Sequence, residues 1–81
     1  MVIGEAVRIR IQKLCEERKI TINKLSTICG ITQSTLSNIT GGRNNSTTVS
    51  TVKKICDGLE ISVREFFDCD LFDINLEQEI K

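Results

Sequence analysis

At 81 residues the chain has room for one domain with a modest core, which excludes a separate catalytic domain. No apolar stretch approaches the roughly 20 residues that a membrane span needs. The N-terminus also lacks a basic start followed by an unbroken apolar run, so we expect a cytoplasmic protein without a targeting segment.

The eleven basic and eleven acidic residues cancel, but they are separated along the chain. Residues 1–54 contain nine basic and three acidic residues, a net charge of +6, whereas residues 55–81 contain two basic and eight acidic residues, a net charge of −6. A basic half can face a polyanion while an acidic half faces away from it. Ordinary solvated faces are the alternative explanation of the same distribution.

The absence of proline and the positions of the glycines predict helices separated by tight turns. In the first helix, about residues 4–18, apolar side chains recur at helical spacing: Val7, Ile11 and Leu14. Thr21 is a favourable N-cap for the second helix, and Gly30 is a natural left-handed stop. Thr32 caps a third helix, which continues to about Thr40 before Gly41 and Gly42.

Two further helices follow a polar loop at residues 43–47. The fourth helix is expected to present four apolar side chains to the core: Val49, Val52, Ile55 and Leu59. Ser62 and Glu65 form a capping-box pattern that opens a short fifth helix ending in Phe66 and Phe67. The sequence therefore predicts an all-α fold of five helices.

The second and third helices are joined by only three residues, Gly30, Ile31 and Thr32. A connection this short forces a steep crossing, which is the geometry of a helix-turn-helix unit, here about residues 21–40. At helical spacing the third helix has one polar, uncharged face and one aliphatic face containing Leu36 and Ile39. The polar face consists of Gln33, Ser34, Ser37 and Asn38. Such groups suit the major groove of DNA, and a solvated surface helix is the alternative.

The four cysteines include no C-x-x-C pair, and the chain has no histidine that could complete a mixed metal site. Cys15, Cys29 and Cys56 each follow an apolar residue in a helical pattern, where a reduced cysteine serves as a small core residue. We therefore expect buried thiols there, with a disulfide or a metal site as alternatives. The pattern leaves the environment of Cys69 open.

Together these segments resemble the Cro/repressor-type helix-turn-helix family, often called the XRE family. The match covers about residues 7–67 and rests on the segments 19–26, 30–39, 42–43, 51–59 and 61–67. The resemblance implies a compact, five-helix, lambda-repressor-like DNA-binding domain at residues 1–67. It also implies a short acidic, partly apolar tail at residues 68–81 that could contribute to a dimer contact.

The resemblance assigns roles to residues of the helix-turn-helix and of the loop behind it. The first, second and sixth positions of the third helix touch bases in this family, and here they are Gln33, Ser34 and Asn38. Contacts to the DNA backbone are implied for Thr35, Arg43, Asn44 and Asn45. A solvated turn is the alternative for the loop.

The sequence departs from the family pattern in two respects. Many members place Gln at the start of the second helix to bind a phosphate, but Ile22 stands there, so this interaction is missing or passes to Asn23 or Lys24. Many members also pair an Arg of the first helix with a Glu late in the third helix. The matching positions here are Cys15 and Thr40, and the absence of both partners together leaves no buried charge unpaired.

The function implied by the resemblance is that of a sequence-specific double-stranded DNA-binding repressor, bacterial or phage-encoded, that reads the major groove with the helix at about residues 32–40. A protein-binding module of the same fold, such as an antitoxin or adaptor, is the alternative. With no histidine or tyrosine, no Gly-rich phosphate loop and no paired acids on a helical face, we expect no enzyme, cofactor, metal or small-molecule ligand.

The acidic tail keeps several apolar residues that need to be covered: Leu71, Phe72, Ile74, Leu76 and Ile80. Family members commonly pair as two-fold dimers on palindromic operators. The surface near Ile61 together with the tail is the candidate dimer interface. A tail that folds back on its own core is the alternative.

Overall fold

The computed structural model describes residues 2–41 and 47–73, and within them it contains five helices. Their bounds are α1 Ile3–Arg18, α2 Ile22–Cys29, α3 Gln33–Thr40, α4 Val49–Leu59 and α5 Val63–Phe67. The predicted all-α, five-helix fold is confirmed. In the described part of the chain no helix has the length and apolarity to cross a membrane.

Four of the five helices begin with the same capping interaction. The hydroxyl of the N-cap residue accepts a hydrogen bond from the backbone N–H three residues later, over 3.0–3.2 Å. The N-caps are Thr21, Thr32, Thr48 and Ser62. Three helices end at a left-handed residue, and one of these is Gly30, with φ of 68°. Hydroxyl caps and this glycine therefore set the helix boundaries that the sequence predicts.

The core is formed by one apolar stripe from each helix. Its fully buried large side chains are Ile11, Leu25, Leu36, Ile55, Cys56 and Phe66. The prediction that Val49 joins this core is wrong, because its side chain is 77% exposed. Val49 is the first residue of α4, and the stripe that faces the core begins one turn later, at Val52.

All four cysteines are free thiols. Cys15 and Cys56 are buried as predicted, whereas Cys29 is only half-buried. The Cys29 thiol lies over α4, with its Sγ atom 3.8 Å from the carbonyl oxygen of Ile55. Burial, and then the neighbouring thiols of Cys15 and Cys56, raise the pKa of Cys29 to about 11. Cys69, for which the pattern makes no prediction, is half-buried.

The chain beyond α5 folds back on the domain as far as the structure describes it. The Phe72 ring packs edge-on against Phe67, with ring centroids 4.8 Å apart, and lies 6.2 Å from Phe66. The tail residues Ile74, Leu76 and Ile80 lie outside the described residues.

The helix α5 itself is bound to α1 by a side chain. The Arg10 guanidinium donates to the carbonyl oxygens of Phe66, at 2.7 Å, and of Glu65, at 3.0 Å.

Candidate nucleic-acid interface

The helix-turn-helix is held by a tight stop at the end of α2 and by apolar packing of α3. The backbone N–H groups of Gly30 and Ile31 both donate to the carbonyl oxygen of Ser26, which closes the last turn of α2. Leu36 and Ile39 are buried and anchor α3 against the rest of the domain. The aliphatic face of α3 thus lies in the core, so its polar face is directed outward.

The three predicted base-contacting residues lie together on this outward face of α3. Gln33 and Ser34 are exposed and Asn38 is half-exposed. Within residues 2–41 and 47–73 their side chains make no hydrogen bond to other protein groups. Amide and hydroxyl groups are therefore available to a ligand, and none of the three residues is part of the core.

Thr35, predicted to meet the DNA backbone, is exposed at the first turn of α3. Its backbone N–H donates to the Thr32 hydroxyl over 3.2 Å, and that hydroxyl in turn donates to the Thr35 hydroxyl oxygen over 2.8 Å. A hydroxyl has one hydrogen to donate and two lone pairs to accept with. Because Thr35 accepts here, its own hydrogen remains free for an acceptor such as a phosphate oxygen.

The start of α2 presents two residues that could supply the phosphate interaction that Ile22 cannot make. Asn23 and Lys24 are exposed, whereas Ile22 is half-buried and packs against the core. The Asn23 backbone carbonyl accepts hydrogen bonds from Ser26 Oγ, at 2.7 Å, and Thr27 Oγ1, at 3.3 Å. The aliphatic side chain of Ile22 therefore contributes to packing, and the next two residues, Asn23 and Lys24, present the polar groups.

The predicted loop contacts Arg43, Asn44 and Asn45 lie outside the described residues. Among the described residues, the structure places Gln33, Ser34, Thr35 and Asn38 on one helix and Asn23 and Lys24 on the helix before it.

Sequence reasoning missed a polar link between α1 and α3. The Gln12 side-chain amide donates to the carbonyl oxygen of Thr40 over 3.4 Å, whereas the Thr40 hydroxyl donates to the carbonyl oxygen of Leu36 over 3.0 Å. Cys15, at the position where the resemblance implies an Arg in many family members, is buried. In the sequence Gln12 looks like any polar residue on the solvated side of α1, so no local signal identifies this contact.

Comparison with known proteins places this geometry in a family. The Cro/C1-type helix-turn-helix DNA-binding domain matches residues 10–71. The chain is 35% identical over 52 residues to the HTH-type transcriptional repressor RghR of Bacillus subtilis (strain 168), a match that spans 64% of this chain but only 38% of that protein. The crystal structure of the prophage Lp1 protein 11 matches with a TM-score of 0.78 and 37% identity, covering 86% of this chain and 93% of that one. This chain belongs to the Cro/C1-type helix-turn-helix DNA-binding domain family.

Proposed function

We propose that the chain is a sequence-specific repressor of transcription that reads base pairs in the major groove with α3. The outward face of α3 carries this proposal, because Gln33, Ser34 and Asn38 present uncharged amide and hydroxyl groups to solvent. Gln and Asn amides match the N6 and N7 atoms of adenine, and a Ser hydroxyl both donates and accepts. Lys and Glu form helices better than Ser and Asn and would suit an ordinary solvated face.

The family supports the coarser part of this proposal, since it is one of DNA-binding transcription regulators and not of enzymes. The repressor role rests on the similarity to a protein named as a transcriptional repressor. That similarity spans 52 residues, which is 38% of a longer protein. We therefore propose the repressor role only in the sense that this domain binds and occupies its DNA site.

Contacts to phosphates fix the position of such a domain without reading sequence. We assign them to the exposed polar groups next to the α3 face and to the loop after α3: Asn23, Lys24, Thr35, Arg43, Asn44 and Asn45. The free hydrogen of the Thr35 hydroxyl supports its assignment. The excess of cations in residues 1–54 supplies the long-range attraction to DNA.

We further propose that the chain acts as a homodimer on a palindromic operator. At the lower end of their range, about 1 kcal/mol each, the three base-contacting side chains of one copy fall short of the about 4–10 kcal/mol by which specific binding exceeds non-specific binding. A two-fold dimer doubles the contacts and places its two α3 helices roughly 34 Å apart, in successive major grooves.

Selection from a random pool of DNA duplexes tests these proposals. Purified protein retains bound duplexes, which are amplified and sequenced over several rounds. We expect a consensus of two inverted half-sites whose centres lie about 10–10.5 base pairs apart. A pool without enrichment contradicts the proposed function, and a stable complex formed only with a co-encoded protein would show an antitoxin or adaptor instead.

A further inference from the structure

Helix α3 ends differently from the other helices of eight or more residues. The helices α1, α2 and α4 end at residues in the left-handed region, namely Lys19, Gly30 and Glu60. Gly41, after α3, is right-handed, with φ of −84° and ψ of −1°. The last carbonyls of a helix lack partners within the helix and need other donors. For Thr40, this donor is the side-chain amide of Gln12 on α1, at 3.4 Å.

In the described ranges, this is the one side-chain hydrogen bond that joins α3 to another helix. Besides the short turn from α2, which fixes the start of α3, the remaining hold on α3 comes from the buried side chains of Leu36 and Ile39. Apolar packing is non-directional. The side chains of Leu36 and Ile39 therefore fix how closely α3 lies against the core more firmly than they fix its rotation and tilt. A directional bond at the C-terminal end supplies that missing constraint.

We propose that Gln12 is a positioning residue that sets the orientation of α3 and thereby its preference among base pairs; the proposal rests on the function proposed above. Gln33 precedes Thr40 by seven residues, which is about 10 Å along the helix axis. A tilt of about 10° at the tethered end therefore moves Gln33 by about 2 Å. A displacement of this size breaks a hydrogen bond to a base edge, because such bonds form only over about 2.7–3.2 Å.

The environment of Gln12 fits a role in orientation more than in stability. Its side chain is half-buried beside a groove between the end of α1 and the start of α2, lined also by Cys15, Glu16, Ile20 and Thr21. The bond to Thr40 is long, and an average hydrogen bond contributes only about 0.5–1.5 kcal/mol net. Its removal is therefore expected to reorient α3 without unfolding the domain.

Two variants of the full chain test this role. Gln12→Met keeps the length and neutral charge of the side chain but removes the donor. Gln12→Lys restores a donor that can reach the Thr40 carbonyl. The measurement is the ratio of the Kd for a scrambled duplex to the Kd for the selected consensus duplex, at one salt concentration. A uniform gain in DNA affinity from the added lysine charge cancels in this ratio.

For Gln12→Met we expect the ratio to fall roughly two- to ten-fold, the equivalent of one net hydrogen bond, with the Kd for scrambled DNA and the melting temperature near wild type. Gln12→Lys should restore the ratio. An unchanged ratio in Gln12→Met, an equal weakening on both duplexes, or a Gln12→Lys ratio as low as that of Gln12→Met would overturn the proposal. Wild-type protein that prefers no duplex would instead refute the proposed function itself.

Discussion

At the scale of single residues, the eight residues of α3 form two faces, one packed in the core and one exposed to solvent. Leu36 and Ile39 are buried, while Gln33 and Ser34 are exposed one and two positions after the N-cap. Serine, threonine and asparagine are weaker helix formers than lysine or glutamate, so this composition costs helix stability. Folding stability therefore does not account for the polar composition of this face, which fits the contacts with base pairs that we propose.

The raised pKa of Cys29, about 11 against an ordinary value of 9.0, predicts how stability changes with pH. The folded state keeps the thiol proton to a higher pH than the unfolded state does. Folding stability attributable to this group is therefore fully present below pH 9 and is lost as the pH rises toward 11. Urea unfolding at several pH values should show this decline in wild type and a smaller decline in Cys29→Ala. Identical slopes would contradict the assigned pKa.

Residues whose role depends on their own neighbours in sequence are predictable. Thr21 and Thr32 act as N-caps, and Gly30 adopts the left-handed stop that its position suggests. Val49 fits the apolar spacing of α4 equally well but is exposed. Burial depends on where the neighbouring helices end, and spacing within one helix does not contain that information.

At the scale of the elements, the start of α3 depends on Thr32. Its hydroxyl caps the helix and also bonds to the Thr35 hydroxyl, so Thr32→Ala removes both interactions. Loss of an N-cap costs about 0.5–2 kcal/mol. Thr48→Ala is a matched control, because Thr48 makes the equivalent pair of contacts with Thr51 at the start of α4.

We expect both variants to lower the free energy of unfolding by similar amounts in urea titrations. Only Thr32→Ala should also weaken binding to the consensus duplex beyond its effect on stability, because the residues proposed to read bases follow Thr32 directly. Equal DNA affinities for the two variants would indicate that the start of α3 does not contact DNA.

Contacts between elements are the part of the structure that the sequence does not reveal. The Gln12 bond to α3 and the Arg10 bonds to the end of α5 join residues 28 to 56 positions apart. Gly58 on α4 is similar, since a Cβ atom there would lie 2.6 Å from Cys29 Sγ and 3.1 Å from Cys29 Cα. A polar residue or a glycine in a helical sequence does not indicate which residue of another helix it will contact, because that depends on how the helices pack.

At the scale of the whole molecule, the charges are separated along the sequence, with the excess of basic residues in residues 1–54 and the excess of acidic residues in residues 55–81. The match over about residues 7–67 is enough to identify the fold and the family, because the helix order, turn length and closing Phe66 and Phe67 are all local features. The packing of Phe72 against α5 could not be predicted from those local features.

This charge distribution predicts a steep dependence of DNA affinity on salt. Each phosphate contact adds roughly 0.9 to the slope of log affinity against log salt, so Lys24→Ala should reduce that slope by about one. Arg64→Ala is the matched control, since this exposed cation lies in the acidic half and should leave the slope unchanged. Titrations of one duplex at several salt concentrations provide the measurement. A flat dependence in wild type would argue against DNA as the partner.

The most direct measurement compares wild type with Gln33→Ala on the selected consensus duplex and on every single-base-pair variant of it. We expect Gln33→Ala to lose about 1–3 kcal/mol on the consensus and to become indifferent to the base pair at one position of each half-site. Asn23→Ala, a proposed phosphate contact, should weaken all duplexes alike. If Gln33→Ala also weakens every duplex equally, α3 does not read bases through Gln33.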